Sequence, residues 1–418
     1  MYQRSAYDEA VSSGQYQKVT GLVGKYDNVR RLWEDEVMRL FLQPCLQRMV
    51  DRKRGRGEGL RILDLGCGSG DGYELIMGVK RGDTGLPSHA NIAIEPGLLE
   101  FYKGIDLTPG LIAQAEAIHG HQANMAFVEG DFNEVDLEAE QPYDLYFASY
   151  GTLSHNGCER NARLLAKLAE HGRSGSLIVA DWLGRYSYEW QMLWSNDLSR
   201  EQWMDYLISY IYTKEERKRR ELTSLTLALL SRREVLAILE SARKQSRGNI
   251  RLRRLFDRSV LVGRHIDTGD YNPHAQPLRQ RVNSLFEPNI RTELEGLLVN
   301  YVPKDGFPAV NEFYAMFQSS WNALLGYVIA LLGHYDAARA SPRSEIEGHQ
   351  PRALRMAMAE MRRLIIATHR SKMGDVRANI IEPSLGYAFR ALEMGLQKGM
   401  GCGHGLVAIL ELEKERGN

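Results

Sequence analysis

The chain is 418 residues long, more than one ordinary domain, so two or three units are expected. Its 53 basic and 53 acidic residues balance, which removes the overall field that would draw it to nucleic acid or an anionic membrane. Cys45, Cys67, Cys158 and Cys402 form no C-x-x-C pair, so neither a disulfide framework nor a structural zinc is expected, and a reducing, cytoplasmic setting is.

Residues 1–58 read as a helical N-terminal lid that holds Tyr16, Tyr26 and Trp33. Leu32, Trp33, Val37, Leu40, Phe41 and Leu46 recur at helical spacing, and Pro44 is expected to kink or end the helix. No signal peptide is read in the polar opening residues. An apolar run then ends in an acid and opens into glycines: Ile62-Leu63-Asp64-Leu65-Gly66-Cys67-Gly68-Ser69-Gly70-Asp71-Gly72. A strand followed by such glycines turns sharply and lets a ligand approach the backbone. The spacing is G-x-G-x-G, so neither the dinucleotide G-x-G-x-x-G nor the P-loop pattern fits. That suits a nucleotide-type ligand without a pyrophosphate.

Residues 78–97 are rich in Gly, Pro, Ser and Asn and read as an insertion loop. Strand-like segments follow at 102–109, ending in Asp106-Leu107, at 126–132, ending in Asp131-Phe132, at 143–150 and at 176–182. These segments, in this order behind the glycine turn, resemble the class I (Rossmann-like) S-adenosylmethionine (SAM)-dependent methyltransferases. The resemblance implies an α/β fold, a seven-stranded mostly parallel sheet with helices on both faces. It also implies SAM as cofactor and S-adenosyl-L-homocysteine (SAH) as product. Asp64, Gly66, Cys67, Gly68 and Gly70 would shape the methionine end, with Ser149 nearby. Asp106 and Leu107 would take the ribose, and Asp131 with Phe132 the adenine. A second register makes 92–95 the strand and Glu95 the ribose acid.

The sheet domain is expected over 59–268, with a helical insertion around 186–245 that ends in a capping box at Ser231 and Glu234. Segments 250–256 and 259–265 resemble the antiparallel pair that closes the family's sheet. From 271 to 418 a mainly helical domain is expected, serving dimerisation or covering the acceptor. Its stretch 321–332 reads as a buried helix, too short to span a bilayer. Gly399-Met400-Gly401-Cys402-Gly403-His404-Gly405 reads as a plain turn.

Methyl transfer needs an aligned nucleophile and an excluded solvent, with a base where the acceptor loses a proton. His155 is the base candidate because its pKa lies near neutrality. Tyr150 and Tyr26 are further catalytic candidates. Asn156 reads as an acceptor-orienting group, and Trp182, Arg185, Tyr186 and Tyr188 as an acceptor wall, while Trp194 and Trp203 read as packing. The basic residues at 214–220, with Arg251, Arg253, Arg254 and Arg258, are interleaved with glutamates and read as a solvated face. The expected activity is methyl transfer to a small molecule. The alternatives are a protein or RNA acceptor, or a SAM-binding subunit of an assembly without turnover.

Overall fold

The computed structural model describes residues 7, 11–12, 20–22, 24–82, 91–246, 249–336, 350–368, 371 and 374–413. Tyr16 and residues 83–90 of the insertion loop lie outside them. A π-helical turn, Arg30–Glu34, runs into helix α1, Asp35–Arg56. Pro44 lies within α1 and does not end it. Proline leaves the carbonyl four residues back without a donor. Here that residue is half-exposed Leu40, and Pro44 is itself exposed, so the defect faces water.

Five strands run parallel: β1 Leu60–Leu65, β2 Leu99–Asp106, β3 Met125–Glu129, β4 Leu145–Phe147 and β5 Leu177–Gly184. Leu60, Ile62, Leu63 and Leu65 are all buried, as both faces of a covered parallel sheet require. Helices α2 Asp71–Met77, α3 Pro109–His119 and α4 Cys158–His171 make the crossovers.

Residues 186–245 are not the helical insertion expected. They hold two strands, β6 Gln202–Leu207 and β7 Ser224–Leu230, before helix α5, Arg232–Gln245. Burial alternates along β6, which is the period of a strand. Beyond Phe147, where β4 stops, β7 pairs with Leu183 and Gly184 of β5 and carries β6 on its outer side. Ser231 and Glu234 do form the capping box of α5.

A second correction concerns the closing strands. Residues 259–265 are not a strand: Ser259 sits at φ 59°, outside extended backbone. Strand β8, Asn249–Arg258, pairs instead with β9, Gly405–Glu413, from the far end of the chain. β9 lies antiparallel to both β8 and β5, which gives the sheet order β8-β9-β5-β4-β1-β2-β3. The seven-stranded sheet with an antiparallel closing pair is therefore present, but residues 259–404 stand between its last two strands.

Helices α6 Pro308–Asp336, α7 Arg352–Thr368 and α8 Glu382–Leu396 dominate that long insert. The stretch 321–332 belongs to α6, which by length and composition alone is long enough to cross a bilayer. It is a core helix in this fold: Trp321 is fully buried and stacks on Phe389 at 3.8 Å. The lid, sheet and helical region were expected as separate units. One apolar core instead runs through Trp33, Phe256, Trp321, Phe389 and Val407, and Trp33 Nε1 donates to Glu393 of α8 at 2.9 Å.

Candidate active site

Beyond Leu65 the chain turns through Gly66, Gly68 and Gly70, at φ 67°, 54° and 86°. Only glycine adopts these left-handed angles freely. The amides of Gly66 and Cys67 both donate to the carbonyl of Ile105, at 2.8 and 3.0 Å, which ties the turn to the end of β2. There Asp106 receives the Gly68 amide on Oδ2 and the Thr108 amide on Oδ1, both at 2.9 Å. Burial raises its carboxyl above the usual range, against those two hydrogen bonds. Glu95, the alternative ribose acid, lies before β2 on the surface and pairs with Arg54 at 3.1 Å.

A cavity of about 510 Å³ opens at the carboxyl ends of β1, β2, β4 and β5. This is where open α/β sheets hold ligands. It brings together Gly66, Cys67, Gly68, Asp106, Leu107, Asp131, Phe132, Ser149, Tyr150, His155 and Asn156. Asp131 accepts from the Asn133 amide (2.9 Å) and from Arg160 (2.9 Å), while Asn133 and Asn156 exchange side-chain hydrogen bonds. Burial lowers the His155 pKa to about 4, with Asp131 pulling the other way, and its Nε2 lies 3.3 Å from the Tyr7 hydroxyl.

Seven expected site residues stand outside this lining. Asp64 is buried under the turn, where Tyr102 donates to it at 2.5 Å and burial pushes its carboxyl up to about 8. Gly70 packs on the ring of His119. Tyr26 donates to Asp71 and meets Ser69 Oγ at 3.2 Å, behind the cavity wall. Trp182 and Arg185 are fully buried; Arg185 ties the end of β5 to Ser195, Asp197, Arg200 and Glu234. Tyr186 and Tyr188 pack on Phe307 and Tyr301 of the insert, with ring centroids 6.1 and 5.0 Å apart. Tyr186 and Tyr188, with Trp194 against Phe307 and Tyr314, thus form a joint between sheet and insert, while Trp182 belongs to the core around β5, β9 and α5.

Other segments complete the cavity. Tyr7, Lys25 and Arg30 come from the N-terminal region, Tyr206, Tyr210 and Leu227 from the β6–β7 region, and Arg264 and His404 from the long insert. Lys25 pairs with Asp71 at 2.9 Å. Burial opposes ionisation of Asp71, but Lys25 and Arg30 hold its carboxyl well below the usual range. Arg30 bonds Asp35 at 2.9 Å and lies 3.1 Å over the Tyr150 ring, with Arg258 4.3 Å from the same ring. The Tyr150 hydroxyl is taken by Asp35. Lys25 and Arg30 flank residues noted in the sequence, but nothing local marks Arg264 or Tyr210.

His404 arrives through the glycine-rich turn. Asp257, at the end of β8, accepts the amides of Met400, Gly401 and Cys402 at 2.8, 2.7 and 2.9 Å. A Cβ on Gly403 would strike the backbone of Arg258, so the wrap needs glycine. The turn delivers the His404 ring to the cavity with Nδ1 2.9 Å from Oε1 of fully buried Glu189.

No family model matches the chain, and no curated protein does. Among solved structures, an S-adenosylmethionine-dependent methyltransferase from Clostridium acetobutylicum is similar over 60% of this chain and 90% of that one, at 11% identity and TM-score 0.36. The CcbJ methyltransferase from Streptomyces caelestis is similar over 60% and 89%, at 13% identity and TM-score 0.38. A Haloferax volcanii protein in complex with the Trm112 methyltransferase activator is similar over 48% of this chain, at 14% identity and TM-score 0.29. The chain spans 65% of that protein, just under two thirds of its length. Sheet order, antiparallel β9 and the glycine turn bound to Asp106 give this chain the class I, Rossmann-like methyltransferase fold.

Proposed function

We propose that the chain is a SAM-dependent methyltransferase acting on a small molecule enclosed in the cavity. The observation that carries this reading is the pairing of the left-handed glycine turn with Asp106 on one wall. Each Asp106 oxygen accepts one backbone amide, which fixes the carboxyl group at the cavity wall, where it suits the hydroxyls of a ribose. Asp131 beside Phe132 offers an acceptor and an apolar face for a base. Lys25 and Arg30 supply positive charge for a carboxylate. When bound, SAM supplies a methyl group made electrophilic by its sulfonium.

The chain's own part is to position the acceptor and keep water out. Tyr7, Lys25 and Arg30 cover the turn, and Tyr206, Leu227 and Arg264 wall the other side. A small acceptor is favoured over RNA because Arg251, Arg253 and Arg258 of the basic set are engaged within the chain, while exposed Lys214, Lys218, Arg219 and Arg220 stand among Glu215 and Glu221. Arg251 pairs with Glu413 at 2.9 Å, Arg253 with Glu411 at 2.6 Å, and Arg258 is fully buried.

Calorimetric titration with SAH tests the reading. Micromolar binding to the wild type that is lost in Asp106→Ala supports it. Absence of binding to the folded wild type overturns it, and binding that persists in Asp106→Ala removes Asp106 from the ribose site.

A further inference from the structure

We propose that His404 is the general base of the methyl transfer, held in its working tautomer by Glu189, and that the acceptor therefore reacts through an O–H or N–H group. This rests on the methyl-transfer reading above. Three observations lead to it.

The first is geometric. His404 lines the cavity, while its partner Glu189 lies behind it, fully buried and outside the lining. Both Glu189 oxygens are within reach of Nδ1, at 2.9 and 3.1 Å. Among the described residues Nε2 makes no hydrogen bond. A carboxylate on Nδ1 demands the proton there, which leaves the Nε2 lone pair for the cavity.

The second is how firmly Glu189 is placed. Its Oε2 accepts the His265 amide at 2.6 Å, and its Oε1 accepts the Ser187 hydroxyl at 3.1 Å. Any Cβ at Gly263 would overlap its carboxylate. Burial works against the charge on Glu189, but His404, His265 and the His265 amide outweigh it and hold the carboxyl below its ordinary value. A base, an orienting acid and a fixed acid support form the usual pattern of an activated imidazole.

The third is that the other cavity histidine is poorly suited. Burial makes His155 a base of about 4, and its Nε2 already faces the Tyr7 hydroxyl. General bases work best with a pKa near the operating pH.

The step balances simply. Nε2 of His404 takes the proton from the acceptor's X–H. The freed electron pair of X forms the new bond to the methyl carbon, and the carbon–sulfur bond breaks with its pair staying on sulfur. Glu189 offsets the imidazolium charge until Nε2 releases the proton to solvent. Around His404 also stand Asp181, to which Arg258 is bound at 2.9 Å, and the rings of Trp190 at 5.4 Å, Tyr206 at 6.1 Å and His265 at 6.5 Å.

Diethyl pyrocarbonate, which acylates neutral imidazole nitrogen, tests this without a known acceptor. Peptide mapping of the full chain should show His404 modified at least 10-fold faster than His155. Glu189→Gln should slow His404 at least 10-fold, because the neutral amide no longer enforces the tautomer. Equal rates at the two histidines, or no change in Glu189→Gln, overturn the proposal. Should Glu189→Gln not fold, the ¹⁵N signals of His404 in the wild type decide: protonated Nδ1 with bare Nε2 supports it, and the opposite tautomer overturns it. His404→Gln should bind SAH as the wild type does. If the wild type fails to bind SAH, the methyl-transfer reading falls, and the acylation rates still report on the dyad separately.

Discussion

Arg279 holds Asp27 with two parallel hydrogen bonds, Nε to Oδ2 and Nη2 to Oδ1, both at 2.7 Å. Its Nη1 reaches Glu34 at 2.8 Å and the carbonyl of Val262 at 2.7 Å. One guanidinium from the long insert thus clamps the N-terminal segment whose neighbours Lys25 and Arg30 cover the cavity. Removing one partner of a buried ion pair leaves an uncompensated charge. Arg279→Met is expected to lose about 3–5 kcal/mol in denaturant unfolding at pH 7. A loss below about 1 kcal/mol would show that the clamp is dispensable.

Asp64 makes stability depend on pH. Its folded-state pKa of about 8 lies above the ordinary 3.8, so between those values the folded chain keeps a proton that the unfolded chain has lost. Stability from this group therefore falls as pH rises through that window, by about 1.4 kcal/mol per unit. Asp64→Asn removes this contribution. The wild-type advantage over Asp64→Asn should shrink steadily in unfolding titrations at pH 5, 6 and 7, and a constant difference would refute the assignment.

Gly72 is the floor that Asp64 rests on. A Cβ there would overlap the Asp64 carboxylate, which is itself fixed by Tyr102. Gly72→Ala should cost about 1–3 kcal/mol, as overpacking does. Calorimetric melting checks it, and an unchanged midpoint would mean that the start of α2 shifts freely.

Arg185 separates the two views of the aromatic stretch. With its donors on Ser195, Asp197, Arg200 and Glu234, Arg185→Met should lower the melting point while leaving SAH affinity within about twofold of wild type. A stable variant with altered ligand binding would return Arg185 to the cavity.

The glycine-turn wall of the cavity was legible because its determinants are local. The Gly66–Gly70 turn and the acids ending β2 and following β3 lie within short segments whose residue types state their backbone needs. The opposite wall was not. Val407, Ile409 and Leu410 sit in a strand buried on both faces, which looks in sequence like any apolar run, and its partner β8 is distant in sequence. Trp182 and Arg185 follow a parallel strand, as pocket residues do, yet β7 covers that end of β5. Arg264 and His404 reach the cavity only through long-range pairing. His404 stood in the glycine turn all along, but its meaning depends on Asp257 and Glu189, neither of them near it in sequence.

The position of β9 has a consequence for synthesis on the ribosome. β9 occupies an interior slot, between β5 and β8, yet all the other strands of the sheet are translated before the insert. A nascent chain that has emerged as far as the insert therefore carries a sheet with an open seam. The unpaired backbone edges of β5 and β8 flank that seam and cannot pair with β9 until residues 405–413 arrive. Completion of the sheet therefore waits on synthesis of the whole insert, and stalled or truncated chains expose an edge prone to pairing with other chains.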